Sequence, residues 1–214
     1  LRVSSLGSHH GEEPCFSGMR GSGTVFFAGC PCRCFFCQNH QISLQHGGRL
    51  LSSESLHRQV RDLLEGGVHN LNFVTPTHYE PHVRELCERL REEGCRIPFV
   101  YNTSGYERPA RIPAIAEYMD IFMPDFKFAA ADLAAECMHA PDYPETALQA
   151  IGEMIHAKGF LTPFDPSGER TAREGVLVRH LVLPGEIDNS LDALRILREQ
   201  FGRMLPLSVM SQFR

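Results

Sequence analysis

The chain has 214 residues, 43% of them hydrophobic and 22% charged, which is ordinary globular composition with enough apolar material for one substantial core. A formal net charge of −5 and a pI near 6.1 leave no basic footprint for nucleic acid. No apolar run approaches the roughly 18 residues a bilayer span needs, and no basic stretch followed by an apolar one opens the chain. The expectation is therefore a soluble, cytoplasmic protein with no nucleic-acid or membrane partner. Leu1 is not a methionine, and residues 205–213 read as a strand running off the end, which suggests a chain trimmed at both ends.

From Thr24 onward, short β-rich runs alternate with amphipathic helices. Thr24 to Ala28 is the first expected strand. A helix follows from about Ser53, with Leu56, Val60, Leu63 and Leu64 on one face and Gly66-Gly67 closing it. Leu71 to Val74 is the second strand, and Val83, Leu86, Cys87 and Leu90 mark the next helix by their i, i+3, i+4, i+7 spacing. Ile97 to Tyr101 is the third strand, and a short helix runs from about Ile112 to Tyr118. Met119 to Met123 is the fourth strand, with helices near Ala129 to Cys137 and Glu145 to Ala157. Phe160 to Glu174 reads as an extended hairpin or loop, and Val176 to Leu183 as the fifth strand. A capped helix carrying Leu191, Leu194, Leu197 and Phe201 precedes the sixth strand, Leu205 to Met210. Helical crossovers between successive strands require parallel pairing. Six such units fit a partial (β/α) barrel or a doubly wound sheet, which periodicity alone does not separate.

Every strand is followed by a polar or glycine-bearing segment: Gly29 to His40, Thr75 to His78, Asn102 to Gly105, Pro124 to Lys127, Pro184-Gly185 and Ser211-Gln212. In parallel α/β folds the chemistry sits on the C-terminal rim of the strands. All six segments are thus expected to converge on one site.

Four of the eight cysteines lie between Cys30 and Cys37, a density that favours metal ligation over disulfides in a chain without an export signal. Cys30, Cys34 and Cys37 have the spacing Cys-x3-Cys-x2-Cys. Three thiolates on a cubane leave one iron free for another ligand, and Cys32 reads as a bystander. Zinc is the plain alternative, but closed zinc sites usually use a second cysteine pair, and Cys87, Cys95 and Cys137 offer none. Cys87, on an apolar helix face, reads as a buried free thiol.

The stretch from Gly21 to Ser43 resembles the cluster loop of radical S-adenosylmethionine (SAM) proteins, including the aromatic Phe36 before the last cysteine and Gln38-Asn39 after it. Within that superfamily it is similar to pyruvate formate-lyase activating enzyme and its uncharacterised relatives. The resemblance continues through Asn72 to His78, Tyr101 to Tyr106, Met123 to Lys127, Leu177 to Gly185 and Ser208 to Gln212, in order along nearly the whole chain.

The resemblance implies a partial (β/α)6 TIM-like barrel over residues 23–214, preceded by an N-terminal extension, 1–22. It implies that Cys30, Cys34 and Cys37 hold a [4Fe–4S] cluster whose free iron binds SAM, and that an electron from the cluster breaks the S–C5′ bond. The products are methionine and a 5′-deoxyadenosyl radical that abstracts hydrogen from a substrate, either a protein glycine or a small molecule. Flavodoxin or ferredoxin would supply the electron. SAM contacts are expected from Thr75 and Thr77 (amino group), Lys127 (carboxylate), Asp125 (orienting Lys127 or binding the amino group), and Asn102 and Ser104 (ribose or sulfonium side). Arg179 and His180 alternate on one strand, and Arg179 is the one expected to face the barrel. One departure stands out: the activating enzymes commonly carry Gly-Gly-Glu where this chain has Thr75-Pro76-Thr77-His78. Phe35 and Phe36 would be apolar cover for the cluster or ordinary core. Two other classes compete: a non-catalytic zinc- or iron–sulfur-binding module, and an electron-transfer protein, which would normally use four cysteine ligands.

Overall fold

The computed structural model describes residues 1–211. The strands are β1 (Arg2–His9), β2 (Ser22–Phe27), β3 (Arg49–Leu50), β4 (Leu71–Val74), β5 (Phe99–Thr103), β6 (Ile121–Pro124), β7 (Gly175–Val176), β8 (Val178–Leu181) and β9 (Leu207–Met210). The α-helices are α1 (Pro14–Ser17), α2 (His40–Ser43), α3 (Ser53–Glu65), α4 (Glu80–Glu92), α5 (Ile112–Ala116), α6 (Ala131–Met138), α7 (Tyr143–Lys158) and α8 (Ile187–Phe201). The last residues of the expected sixth strand, 212 and 213, lie outside the described part.

One sheet has the order β3-β1-β2-β4-β5-β6-β7, and β8-β9 form a second ladder. The pairs from β2 through β7 and the pair β8·β9 are parallel. β7 and β8 are one run broken at Leu177, whose N–H donates to the Phe122 carbonyl at 3.1 Å, and the Phe126 N–H donates to Arg179 at 2.8 Å. These bonds and the Asp125–Arg179 bridge join the ladders along β6. The result is six parallel strand positions curving as a partial barrel, the first of the two architectures that the periodicity allowed.

The helices form where the spacing places them. Ser52 caps α3, its Oγ accepting from the Ser55 N–H at 3.1 Å, and Leu56 and Val60 turn inward. On α4, Val83, Leu86, Cys87 and Leu90 are all buried. Alternation along the strands splits the core in two. Phe73, Phe99, Tyr101 and Phe122 pack outward with the helices. Val100, Ile121, Met123 and Leu177 face the barrel lumen.

Residues 1–22 are integral to this architecture. β1 pairs antiparallel with β2 along the edge of the sheet. The short α1 inserts Cys15 and Phe16 into the lumen cluster. Among the described residues no helix is long and apolar enough to cross a membrane.

Candidate active site at the strand ends

The C-terminal ends of β2, β4, β5, β6 and β8 surround one cavity of about 240 Å3. Cys30, Cys32, Cys34 and Cys37 line it from the loop after β2, facing Thr75, Asn102, Ser104, Asp125, Lys127 and Arg179. Of the residues expected at the site, the structure brings all but Thr77 to this cavity. The Thr77 hydroxyl instead donates to Glu107 Oε1 at 2.6 Å, on the outer side of the strand ends. Thr77 sits in a short 3-10 turn, Thr77–Tyr79, that leads straight into α4. The chain has by then turned away from the lumen.

The charged part of the rim is tied together by its own side chains. Asp125 pairs with Lys127 through one carboxylate oxygen, and its other oxygen accepts from Arg179 Nε at 2.9 Å. Arg179 Nη2 donates to Asn102 Oδ1 at 2.8 Å. Lys127 and Arg179 thus share Asp125, and of the two it is Lys127 that, among the described residues, has no second carboxylate paired with it. Burial pushes the Asp125 carboxyl up, but Arg179 and then Lys127 outweigh it and hold it below the usual range. Burial lowers the Lys127 ammonium, and Asp125 more than reverses that. His180, next along β8, points the other way and is fully buried. Its Nδ1 donates to the Phe126 carbonyl at 2.7 Å, so Nε2 is left to accept from the Ser190 hydroxyl at 2.9 Å.

Supports that the sequence reading did not single out lie behind this rim. The Tyr143 hydroxyl accepts from the Lys127 N–H at 2.9 Å and lies 2.9 Å from the carbonyls of both Ser104 and Asp125. Tyr143 begins α7, two residues before the expected helix start, where only its aromatic character marked it. Gly105 adopts φ +81°, and a Cβ there would sit 2.1 Å from the Asp125 carbonyl oxygen. Only glycine lets the loop after β5 press so closely on β6. His78 Nε2 donates to the Ala28 carbonyl at 2.8 Å, tying the end of β4 to the entry of the cysteine loop. Thr75 is held at φ +54°, a strained setting for a β-branched residue, with its N–H donating to the Asn102 carbonyl at 2.9 Å.

The thiols differ in environment. A hydrogen bond with Cys32 pulls the Cys30 thiol down to about 6, while burial pushes Cys34 up to about 11. Cys32 is 2% exposed, and its Sγ lies 2.9 Å from the Ser104 hydroxyl, tying the loop to the end of β5. The Ser43 hydroxyl donates to Cys37 Sγ at 3.1 Å. Phe36 lines the cavity and meets Phe128 edge-on with ring centroids 6.0 Å apart, whereas Phe35 is 70% exposed. Among the described residues no group of three His, Cys, Asp or Glu side chains is arranged to hold a single metal ion. An all-thiol donor set beside buried cations, walled by phenylalanines, fits the chemistry of an iron–sulfur cluster.

The sequence pattern of the radical SAM superfamily matches residues 24–197. The chain belongs to that superfamily. A radical SAM protein is an enzyme whose cofactors are a [4Fe–4S] cluster and SAM. A curated relative, the uncharacterized protein MJ0674 of Methanocaldococcus jannaschii, is 26% identical over 188 residues, covering 84% of this chain and 49% of that one. The chain thus spans about half the length of the curated relative it matches. Among solved structures, methylornithine synthase (PylB) superposes with a TM-score of 0.57 at 16% identity, over 89% of this chain and 53% of that one. Native anSMEcpe with bound AdoMet and a peptide gives 0.54 at 11%, over 86% and 48%. SuiB of Streptococcus suis gives 0.53 at 13%, over 86% and 38%. At these identities the likeness is one of fold.

Proposed function

We propose that Cys30, Cys34 and Cys37 hold the [4Fe–4S] cluster and that the opposite wall binds SAM, directing radical chemistry at a protein glycine or a small molecule. The single observation that carries this is the facing of two unlike walls, thiols on one side and the bonded group Asp125–Lys127–Arg179–Asn102 on the other, across one cavity. Cys30, Cys34 and Cys37 would hold the cluster, and the chemistry it would supply when reduced is the single electron needed to cleave the S–C5′ bond of SAM into methionine and a 5′-deoxyadenosyl radical.

The residues of the chain bind, orient and exclude water. Lys127 presents its ammonium to the SAM carboxylate, and Asp125 fixes that ammonium in place. Arg179 holds Asp125 from the other side and leaves the Asn102 side chain oriented toward the ribose. Thr75 offers its hydroxyl to the SAM amino group where the activating enzymes carry an acidic motif. Ser104, bonded to Cys32, keeps the loop seated on β5. Phe36, Val74, Leu181 and Met210 are among the apolar residues of the wall. They keep bulk water from a reactive intermediate. A flavodoxin or ferredoxin is the electron donor.

Anaerobic reconstitution with iron and sulfide, then SAM and dithionite, tests this by chromatography for 5′-deoxyadenosine. Production that is lost on changing Cys30, Cys34 or Cys37 to Ala, and kept in Cys32→Ala, is the expected result. A colourless, zinc-loaded protein that makes none would leave the metal-module alternative standing. Incubation with a candidate glycyl-radical protein separates the substrate classes. An EPR doublet assigns the protein glycine, and its absence with every such partner overturns that reading and leaves a small-molecule or peptide substrate.

A further inference from the structure

Arg179 has three faces, and only two are accounted for by the rim. Nε is bonded to Asp125 and Nη2 to Asn102, while Nη1 lies 3.8 Å from Glu12 Oε2. Both side chains are largely buried, 15% exposed for Arg179 and 8% for Glu12. Glu12 belongs to the N-terminal segment, ahead of residue 24, where the superfamily pattern begins.

The segment that carries it is firmly seated. The Ser17 hydroxyl donates to the Glu12 carbonyl at 3.1 Å, and the Asn70 side-chain amide donates to the Phe16 carbonyl at 2.8 Å. The Ala172 N–H donates to the Cys15 carbonyl at 2.8 Å, and Cys15 and Phe16 are 1% and 0% exposed within the lumen cluster. A carboxylate on so fixed a strap is delivered at a defined height under the rim. The charged groups around it are Arg179, Glu13, His9 and Asp125. Arg179 is the nearest cation, and the guanidinium is the side chain whose five N–H groups can be held from three directions at once.

We propose that Glu12 is a positioning residue for the rim: carried in on the N-terminal strap, it holds Arg179 from below so that Asp125 and Asn102 stay oriented toward SAM. This rests on the reading of the rim as the SAM site. It makes the N-terminal segment part of the cofactor-binding apparatus. With Glu12 gone, the guanidinium loses the one strap carboxylate within ion-pair distance, with Glu13 left as the next acidic neighbour on that side, and it can shift toward Asp125 and loosen the Lys127 contact.

The test uses the full chain, reconstituted anaerobically, and measures SAM affinity by equilibrium dialysis. E12A is expected to bind SAM about ten-fold more weakly, the size of effect seen when the partner that orients a ligating side chain is removed. E12Q, which keeps the side chain's shape but removes its charge, is expected to weaken SAM binding nearly as much as E12A, because at 3.8 Å the contact with Nη1 is an ion pair and not a hydrogen bond. Cleavage of SAM at saturation stays within about two-fold of wild type, because the reacting atoms are untouched. In the cluster-free protein, the stability loss in the E12A/R179M double variant is expected to match that of R179M alone. A plug with only a structural role lowers the melting temperature and leaves SAM affinity unchanged. That outcome overturns the proposal while wild-type binding stands. A wild type that binds no SAM brings down the reading of the rim and this proposal with it. Should E12A fail to fold, E12D, which withdraws the carboxylate by one methylene, takes its place with the same expected weakening.

Discussion

The charged rim and the cysteine loop face each other across one cavity, but they are held in unlike ways. On the rim, Asp125, Lys127, Arg179 and Asn102 stand at strand ends and are bonded to one another. In the loop, backbone order comes from a few turn bonds, such as Cys37 N–H to the Cys34 carbonyl at 3.2 Å and His40 N–H to the Cys37 carbonyl at 3.1 Å. Arg33 there sits at φ +51°. The rim is organised by the fold before any ligand arrives. The loop is seated on the barrel by Cys32 at Ser104, by Ser43 at Cys37 Sγ and by the Phe35 N–H at the Cys137 carbonyl (3.2 Å), and what remains for a cluster to supply is the bonding that joins its thiolates to one another.

That contrast breaks most visibly at the cysteines. Replacing Cys30, Cys34 or Cys37 by Ala is expected to abolish iron loading and 5′-deoxyadenosine formation together, read by iron analysis and chromatography. The cluster-free stability of the Cys30 and Cys37 variants should stay close to wild type, because both thiols are only half-buried, and Cys34→Ala should lose slightly more from its place in the core. A large drop in the melting temperature would show that the loop is part of the cooperative core after all.

Asp125→Asn tests the other wall and should act in the opposite sense, on stability before any cofactor is added. It leaves Lys127 facing a neutral amide and Arg179 with Glu12 as its remaining ion-pair partner, a change of about 3–5 kcal/mol in urea unfolding. The pH dependence has a definite sign. The folded-state value of Asp125 lies below its unfolded value of about 3.9. Its contribution is therefore complete above pH 3.9 and is lost as the pH falls through the folded value. Wild type and D125N should differ by a constant amount from pH 5 to pH 8 and converge only in acid.

The outer supports come next in size. Tyr143→Phe strands the Lys127 N–H and one of two carbonyls, and should cost about 1–3 kcal/mol and weaken SAM binding without changing iron content. On the far side of β8, burial lowers the His180 imidazole below its usual value. The unfolded chain then binds more protons between the folded value and about 6.5, so stability falls as the pH drops below 6.5. His180→Asn should flatten that part of the melting-temperature profile relative to wild type.

How much of this was legible in the chain follows from the same contrast. Strand–helix alternation marked the parallel units, and the motif after each strand marked the rim, because both are local patterns with fixed periods. The alternation of Arg179 and His180 required only that one of the two face inward, and it is Arg179 that lines the cavity. That Thr77 turns toward Glu107 and not toward the cavity was beyond the same logic, since a 3-10 turn that begins three residues past the strand end has no period to reveal it. Tyr143, Gly105 and His78 act through backbone atoms of residues 16 or more positions away, such as Lys127, Asp125 and Ala28. Glu12 was hidden for a different reason: residues 1–22 lack the repeating pattern, and a strap across the lumen follows no periodicity at all.

The smallest expected effect is the most discriminating between the walls. Thr75 holds φ +54° at the end of β4, a conformation that costs a β-branched residue about 1–3 kcal/mol and that glycine adopts freely. Strain of this kind persists where the surroundings fix it, here by the bond from the Thr75 N–H to the Asn102 carbonyl. Thr75→Gly keeps that bond and removes the hydroxyl. It should raise the melting temperature of the cluster-free protein slightly, by about 1 kcal/mol in stability, while SAM affinity falls. Stability and affinity moving in opposite directions would mean that the strain is maintained for the ligand. If both rise together, the hydroxyl has no part in binding, and the amino group of SAM is met by backbone carbonyls alone.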